Sequence, residues 1–457
     1  MLGGGIFITQ DKILPGAYIN VVSTSKATSS VGARGMVAIP LPLNADTAGE
    51  VIKITNVEYL QSPDTILGSD LPENTTRTLN EVFKHATTAY IFNTYSDKGT
   101  PAIVKFTLDG TTPTTGLVIT GDTTTVTQLG QMTVDSKTLS SLFTLDINGE
   151  ATDWEDDSAT VIPSGATITL TSITNTPLDA AIKTALESIG GATGLTVTDG
   201  VSAISEPTVN DICLALESYE FNVLAAYTNE PEDVKSYIQN IKLWRDTYGK
   251  KCQLVVYNQT GADVDYEGII NVVSTVSDAG ADPHALVAWV AGAEAGCEVN
   301  ASCTNMKYDG NYSVICNKSQ SALEDCIKNG EFVFHLVYGD VCVLEDINSL
   351  TTTSVEKGDD FKNNQTIRVV DQIANDIAKL FNTKYLGKIP NDSSGRISLW
   401  ADIVKHHNQL QTIRAIQNFD SANVTVEQGE TKKSIVVNDV VSPVNAMSHL
   451  YMTIVVQ

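Results

Sequence analysis

The stretch that decides the fold runs from Phe221 to Tyr257, FNVLAAYTNEPEDVKSYIQNIKLWRDTYGKKCQLVVY. It opens with a continuous apolar run, FNVLAAY, of the kind a strand shows when both its faces are covered. Pro231 then stands in the first turn of a helix spanning Glu230 to Tyr248, and Gly249 closes it. CQLVVY, from Cys252 to Tyr257, is a second apolar strand. Strand, helix and strand at this spacing predict a βαβ unit and therefore a largely parallel sheet.

The same alternation continues outward. Asp179 to Ile189 and Val209 to Tyr219 read as helices, Ile269 to Val276 as a strand, and Pro283 to Ala295 as a helix closed by Gly296. Phe332 to Tyr338 and Val341 to Leu344 flank Gly339-Asp340, a two-residue hairpin turn. Thr366 to Tyr385 carries an apolar stripe at Ile367, Val370, Ala374, Ile377 and Phe381, and Ser398 to Phe419 is a second long helix. Towards the N-terminus, Thr78 with Glu81 three residues on predicts a capped helix start, and Tyr90 to Asn93 a strand.

Between about 96 and 178 the composition changes. Ten of the 22 residues from Thr107 to Gln128 are threonine, and residues 96–180 contain neither Arg nor Cys. Asn148-Gly149 and Asp109-Gly110 are hairpin signals, and Val161-Ile162 and Ile168 to Leu170 continue the strand pattern. A small, acidic, all-β insertion at the surface follows. The expected organisation is an N-terminal strand arm (1–22), a first part of the core (23–95), the insertion (96–178), an α/β core (179–441) and a C-terminal strand arm (442–457). The fold class is α/β and β multi-domain.

The ends read as arms. Gly3 to Gly5 precede Ile6 to Thr9, Pro15-Gly16 turns the chain, and Ala17 to Val22 is again apolar. A glycine-rich start of this kind either frays or pairs with another chain. Leu450 to Val456 is β-prone and needs a sheet edge to bury it.

Composition excludes several functions. The 457 residues carry 29 Lys and Arg against 54 Asp and Glu, a net charge of −25. Such a chain repels phosphate backbones and anionic membranes, so nucleic acid and membrane are not expected partners. No apolar run reaches the roughly 18 residues of a spanning helix, and no signal peptide is evident. Seven scattered cysteines without C-x-x-C spacing fit reduced, buried thiols and an intracellular site of folding.

Chemistry is sparse. Gly190 to Gly194 follows a helix, lacks the Gly-Lys-Ser/Thr ending, and reads as a loop. Asp153, Glu155, Asp156 and Asp157 form a solvated acidic loop, and no EF-hand spacing is present. Adjacent His406 and His407 point about 100° apart on a helix, unlike the i, i+4 pair of a metal site. No catalytic motif, metal site or cofactor is expected, although a soluble α/β enzyme with a β-sandwich insertion stays open as the alternative.

Several segments in order resemble a contractile phage tail sheath protein, of the phage or phage-like bacteriocin type. They are Gly4-Gly5-Ile6-Phe7 with Pro15-Gly16-Ala17-Tyr18, then Gly32-Ala33-Arg34-Gly35 with Ile39-Pro40-Leu41. Ala288-Trp289-Val290-Ala291-Gly292-Ala293, Glu298-Val299-Asn300 and Leu450 to Val456 follow. The resemblance covers residues 1–95 and about 178–457. It implies a non-enzymatic subunit of stacked hexameric rings around a tail tube, contracting to drive the tube through a bacterial envelope. The implied partners are other copies of the chain, the tail tube protein, and baseplate and tail terminator proteins. The implied location is a virion or phage-tail-like particle assembled in the bacterial host cytoplasm. It further implies that the arms add strands to neighbouring subunits, through Ile6, Phe7, Ile8, Tyr18, Ile19 and Val21 at one end. At the other end the contacts are Leu450, Tyr451, Met452, Ile454, Val455 and Val456. The helix Ser398 to Phe419 is either an ordinary amphipathic core helix or, through Lys405, His406 and Arg414, the surface facing the tube.

Overall fold

A computed structural model describes residues 31–69, 71–108, 118–119, 142–152, 160–161, 166–187 and 192–456. The chain divides into two compact units. One comprises residues 1–38, 78–89 and 220–457, the other 39–77 and 90–219.

The first unit is built on parallel strands. Residues 36–38 of the strand Met36–Leu41, then Val223–Ala225, Gln253–Tyr257, Ile269–Val272 and Glu331–Phe332, lie side by side in chain order. Each pairing is parallel, with Val37 opposite Val223, Val223 opposite Gln253, and Leu254 opposite Ile269. Val223–Ala225 and Ile269–Val272 are buried at every position, as expected of strands covered on both faces. The helix Pro231–Lys242 joins the second and third strands. Its first turn holds Pro231, Glu232 and Asp233, and Val234, Tyr237, Ile238 and Ile241 form the buried stripe. It continues as a π-helical turn, Leu243–Tyr248, and stops at Gly249 in the left-handed region. The extra backbone of that turn carries Arg245 inward, where it forms a two-bonded pair with Asp371 at 2.5 and 2.9 Å.

The helix Leu286–Gly296 is buried along its length. Its glycines are there for closeness. A Cβ on Gly292 would lie 2.4 Å from the Val82 carbonyl oxygen, and one on Gly296 would lie 2.2 Å from that of His85. The same unit contains the helices Asn364–Leu380 and Ser393–Thr412 and a hairpin, Val424–Gln428 with Ile435–Asp439.

The second unit contains a five-stranded antiparallel sheet in the order Ala192–Thr198, Ile103–Leu108, Thr167–Ser172, Phe143–Ile147, Glu150–Thr152. Alternate residues Val104, Phe106, Phe143, Leu145, Ile168 and Leu170 form its core, joined by Ile182, Leu195 and Val197. Asn148 and Gly149, both at positive φ, make the tight turn that their sequence predicts.

Several expectations are corrected. The module does not end near 178, because Ala192–Thr198 is its edge strand. It closes where Asp97 pairs with Ile204 and Thr100 with Val201. Residues 192–194 of the expected glycine loop are therefore strand, with a register shift between Thr193 and Thr196. Thr78 caps no helix, since that helix starts at Glu73. Among the described residues, capping boxes are present at Thr55 with Glu58 and at Thr208 with Asp211. The hairpin turn is Tyr338-Gly339, one residue earlier than expected, because Val337 faces Asp340. The last long helix is Ser393–Thr412, and Arg414 lies beyond it at φ 63°. Leu450 to Val456 has no regular structure within the single chain. The N-terminal arm, Asp109-Gly110 and the acidic run 153–157 lie outside the described residues.

Candidate functional site

The residues next to both arms converge on the helix Asn364–Leu380. At the N-terminal side, the Gly32 amide donates to Asp376 Oδ2 at 3.0 Å. Arg34 donates to the carbonyls of Glu294 and Cys297 at 3.1 and 3.0 Å, and so caps the end of Leu286–Gly296. Burial, with the nearby Arg368 charge, lowers the Arg34 guanidinium to about 10. At the C-terminal side, Gln365 bonds the Val444 carbonyl at 3.0 Å and the Ala446 amide at 2.8 Å, and Thr366 bonds Asn445 at 3.1 Å. Ser442 and Val444 pair in turn with Gln417 and Ala415, both at 2.9 Å.

Beyond this anchor the chain is bare. Leu450, Tyr451, Met452, Ile454, Val455 and Val456 are between 70 and 91% exposed. Six large apolar side chains thus stand in solvent within seven residues. The hairpin Val424–Gln428 with Ile435–Asp439 is a separate two-stranded sheet. Val424, Val426 and Ile435 pack on the core with Leu399 and Ile403, while Val436 and Val437 face solvent. A two-stranded sheet with open edges is marginal alone and accepts further strands.

Two polar networks lie inside. In one, Arg368, Glu294 and Asp346 are all 0% exposed. Arg368 donates to Glu294 Oε2 at 2.5 Å, Asp346 Oδ2 at 3.2 Å and the Ala301 carbonyl at 2.7 Å. Burial first, and then the Asp346 charge, push the Glu294 carboxyl well above its ordinary value. Burial opposes ionisation of Asp346 too, but the Arg368 charge, a proton on Glu294 and the Cys303 amide hold it below its ordinary value. One proton shared by the two acids, with one guanidinium, leaves the cluster neutral. Glu294 Oε1 and Asp346 Oδ1 are buried without a donor within 3.5 Å. Donor atoms of Glu294, Cys303 and Asp346 lie within 4.8 Å of one another, a metal-like grouping, but the Arg368 guanidinium already provides the cation there. The sequence carries one local signal for this network, although no motif spans it. Glu294 is a single acid in an otherwise apolar helix, and a buried acid requires a buried partner.

The second network is His406 and His407. Their Nδ1 atoms are 3.2 Å apart, although the residues are adjacent. His406 Nε2 contacts Asp376 at 2.9 Å and His407 Nε2 contacts Asp439 at 2.6 Å. His406 is 1% exposed, so within the single chain its side chain lies inside the fold and not on the surface expected for it. Lys405 and Arg414 are exposed, and Lys405 borders a shallow depression with Trp400, Val404, Asn408 and Gln409. No disulfide joins the seven cysteines, six of which are buried. Among the described residues no helix is long and apolar enough to cross a membrane.

Comparison with known proteins gives these features a context. Residues 190–349 match the family model of the phage tail sheath protein central domain, and residues 356–457 that of the phage tail sheath C-terminal domain. The phage-like element PBSX protein XkdK of Bacillus subtilis is 28% identical, over 99% of both chains. The sheath tail protein of Desulfitobacterium hafniense is 25% identical with a TM-score of 0.61, over 95% of this chain and 98% of that one. The contracted helical sheath of the anti-feeding prophage shares the fold at a TM-score of 0.53 and 12% identity, over 96% of this chain and 98% of that one. The two family models together span more than half of the sequence, and the chain belongs to the phage tail sheath family.

Proposed function

We propose that this sheath subunit polymerises as stacked hexameric rings around a tail tube and contracts to drive the tube through a bacterial envelope. The observation that carries the reading is the exposed apolar segment Leu450 to Val456, in a chain that also holds a two-stranded sheet with open edges. Donated to a neighbour's sheet, such a segment gains main-chain hydrogen bonds worth about 0.5–1.5 kcal/mol each. It also buries apolar surface at about 25 cal/mol per Å². Ile6 to Thr9 and Ala17 to Val22 act in the same way at the other end. Every subunit gives and receives strands, so many modest joints hold the lattice.

The role is mechanical and not enzymatic. Energy is stored in the metastable extended lattice and released through new intersubunit contacts, without nucleotide. Tail tube, baseplate and terminator proteins are the further partners, and assembly takes place in the bacterial host cytoplasm. Lys405 and Arg414 form a weak, salt-sensitive contact with the tube.

The test is truncation within the segment. The anchor at Val444 to Ala446 belongs to the subunit's own fold, so the cut is placed after it. Removal of residues 447–457 leaves a folded, soluble subunit that forms no tubes under negative stain. Normal tubes from this variant exclude the segment as a joint. Loss of the native circular dichroism spectrum assigns it to the subunit's own core.

A further inference from the structure

The histidine pair joins the two arm roots. Asp376 Oδ2 accepts both His406 Nε2 at 2.9 Å and the Gly32 amide at 3.0 Å, so one end of the chain of contacts holds the N-terminal root. Asp439, at the other end, is the last residue of the strand that leads into the C-terminal segment. The roots also meet in one apolar cluster, where Val31 and Val441 both pack against Val369, Leu410 and Ile416. The Phe419 ring, packed on that cluster, lies edge-on to His407 at 5.0 Å.

The proton count follows from the geometry. Three contacts, Asp376 to His406, His406 to His407 and His407 to Asp439, need three hydrogens to be three hydrogen bonds. Two neutral imidazoles and two carboxylates supply only two, so one of the three contacts is left as lone pair against lone pair. Four protons either set two Nδ1–H groups against each other or protonate a carboxylate as well. With three protons every contact is made, wherever the third one sits, and the group carries one net negative charge. The groups facing the pair are Asp376 from Asn364–Leu380, with Gln372 on its Oδ1, Asp439 from the hairpin, and the uncharged Phe419.

We propose that Asp376, His406, His407 and Asp439 form a proton-dependent latch that ties the two arm roots together when it holds three protons and loosens both when it gains or loses one. The latch belongs to a single subunit and stands whether or not the arms join neighbours.

Amide hydrogen exchange on the unassembled full-length chain across a pH series tests this, corrected for intrinsic exchange rates. The control is the hairpin Phe334–Val337 with Asp340–Val343. Protection around Gly32 and around Val441 should fall together, about tenfold, on both the acid and the alkaline side, while the control stays level. Asp439→Asn removes one negative charge. Its amide N–H can donate to His407 Nε2, so two neutral imidazoles then complete all three contacts, and the alkaline loss of protection should disappear at both roots, including the root it does not touch. Should that variant not fold, ¹⁵N shifts of the histidine rings in the unmodified protein decide the matter. They must show three ring-bound protons, or two with a protonated carboxyl, across the protected window. Protection independent of pH, roots that respond separately, an Asp439→Asn effect confined to the C-terminal root, or facing bare Nδ1 atoms throughout the window would each overturn the latch.

Discussion

Replacing Arg368 by methionine keeps most of the side-chain volume and removes the charge. Glu294 and Asp346, both fully buried, then lose the guanidinium bonded to them, and the Ala301 carbonyl loses its 2.7 Å donor. Breaking a buried pair from one side costs about 3–5 kcal/mol, because a charge is left without compensation. At an m-value of about 3 kcal/mol per M, the urea midpoint of this unit falls by about 1–2 M. Trp289, buried on Leu286–Gly296, reports it by fluorescence.

The loss also depends on pH, and its sign is determined. Glu294 is already raised above its unfolded value, and without Arg368 both acids are raised. A raised carboxyl binds its proton more tightly in the folded state. Its stabilisation is complete below the unfolded value, near 4, and is lost as pH rises through the folded value. The variant is therefore closest to the parent in mild acid and furthest from it at neutral pH. Glu294→Gln added to Arg368→Met should recover stability at neutral pH, with a coupling of about 0.5–3 kcal/mol. A single-variant loss below about 1 kcal/mol, or no recovery in the double variant, would refute the shared-proton arrangement.

Other expectations are as direct. Gly292→Ala places a methyl 2.4 Å from the Val82 carbonyl and should cost about 1–3 kcal/mol of thermal stability, whereas Gly358→Ala, with open space around it, should stay within about 0.5 kcal/mol. Replacing residues 98–203 by a short Gly/Ser linker should leave a soluble protein that still polymerises. Cutting only 96–178 strips Ala192–Thr198 of its partner strand and should cause aggregation, read by light scattering. Lys405→Glu with Arg414→Glu should weaken co-assembly with tail tube at low salt and less at high salt. Normal co-pelleting at both excludes that contact.

The βαβ order, the Asn148-Gly149 turn and the exposed apolar ending follow from the sequence alone. Each rests on signals a few residues apart: an apolar period, a proline in a first turn, a left-handed pair. The boundary at 178 is misplaced because Ala192–Thr198 follows a helix in sequence, and only pairing with Ile103–Leu108, across some 90 residues, assigns it to the insertion sheet. His406 reads as a surface cation beside Lys405, since neighbours on a helix differ by 100° and composition does not say which side is inside. Its burial, and its meeting with Asp376 and Asp439, are decided by three elements packing together. The partners of Glu294 are likewise fixed by distance in space. Residues 294, 346 and 368 share no local pattern, and it is the cost of burying charge without compensation that makes their meeting a condition of the fold.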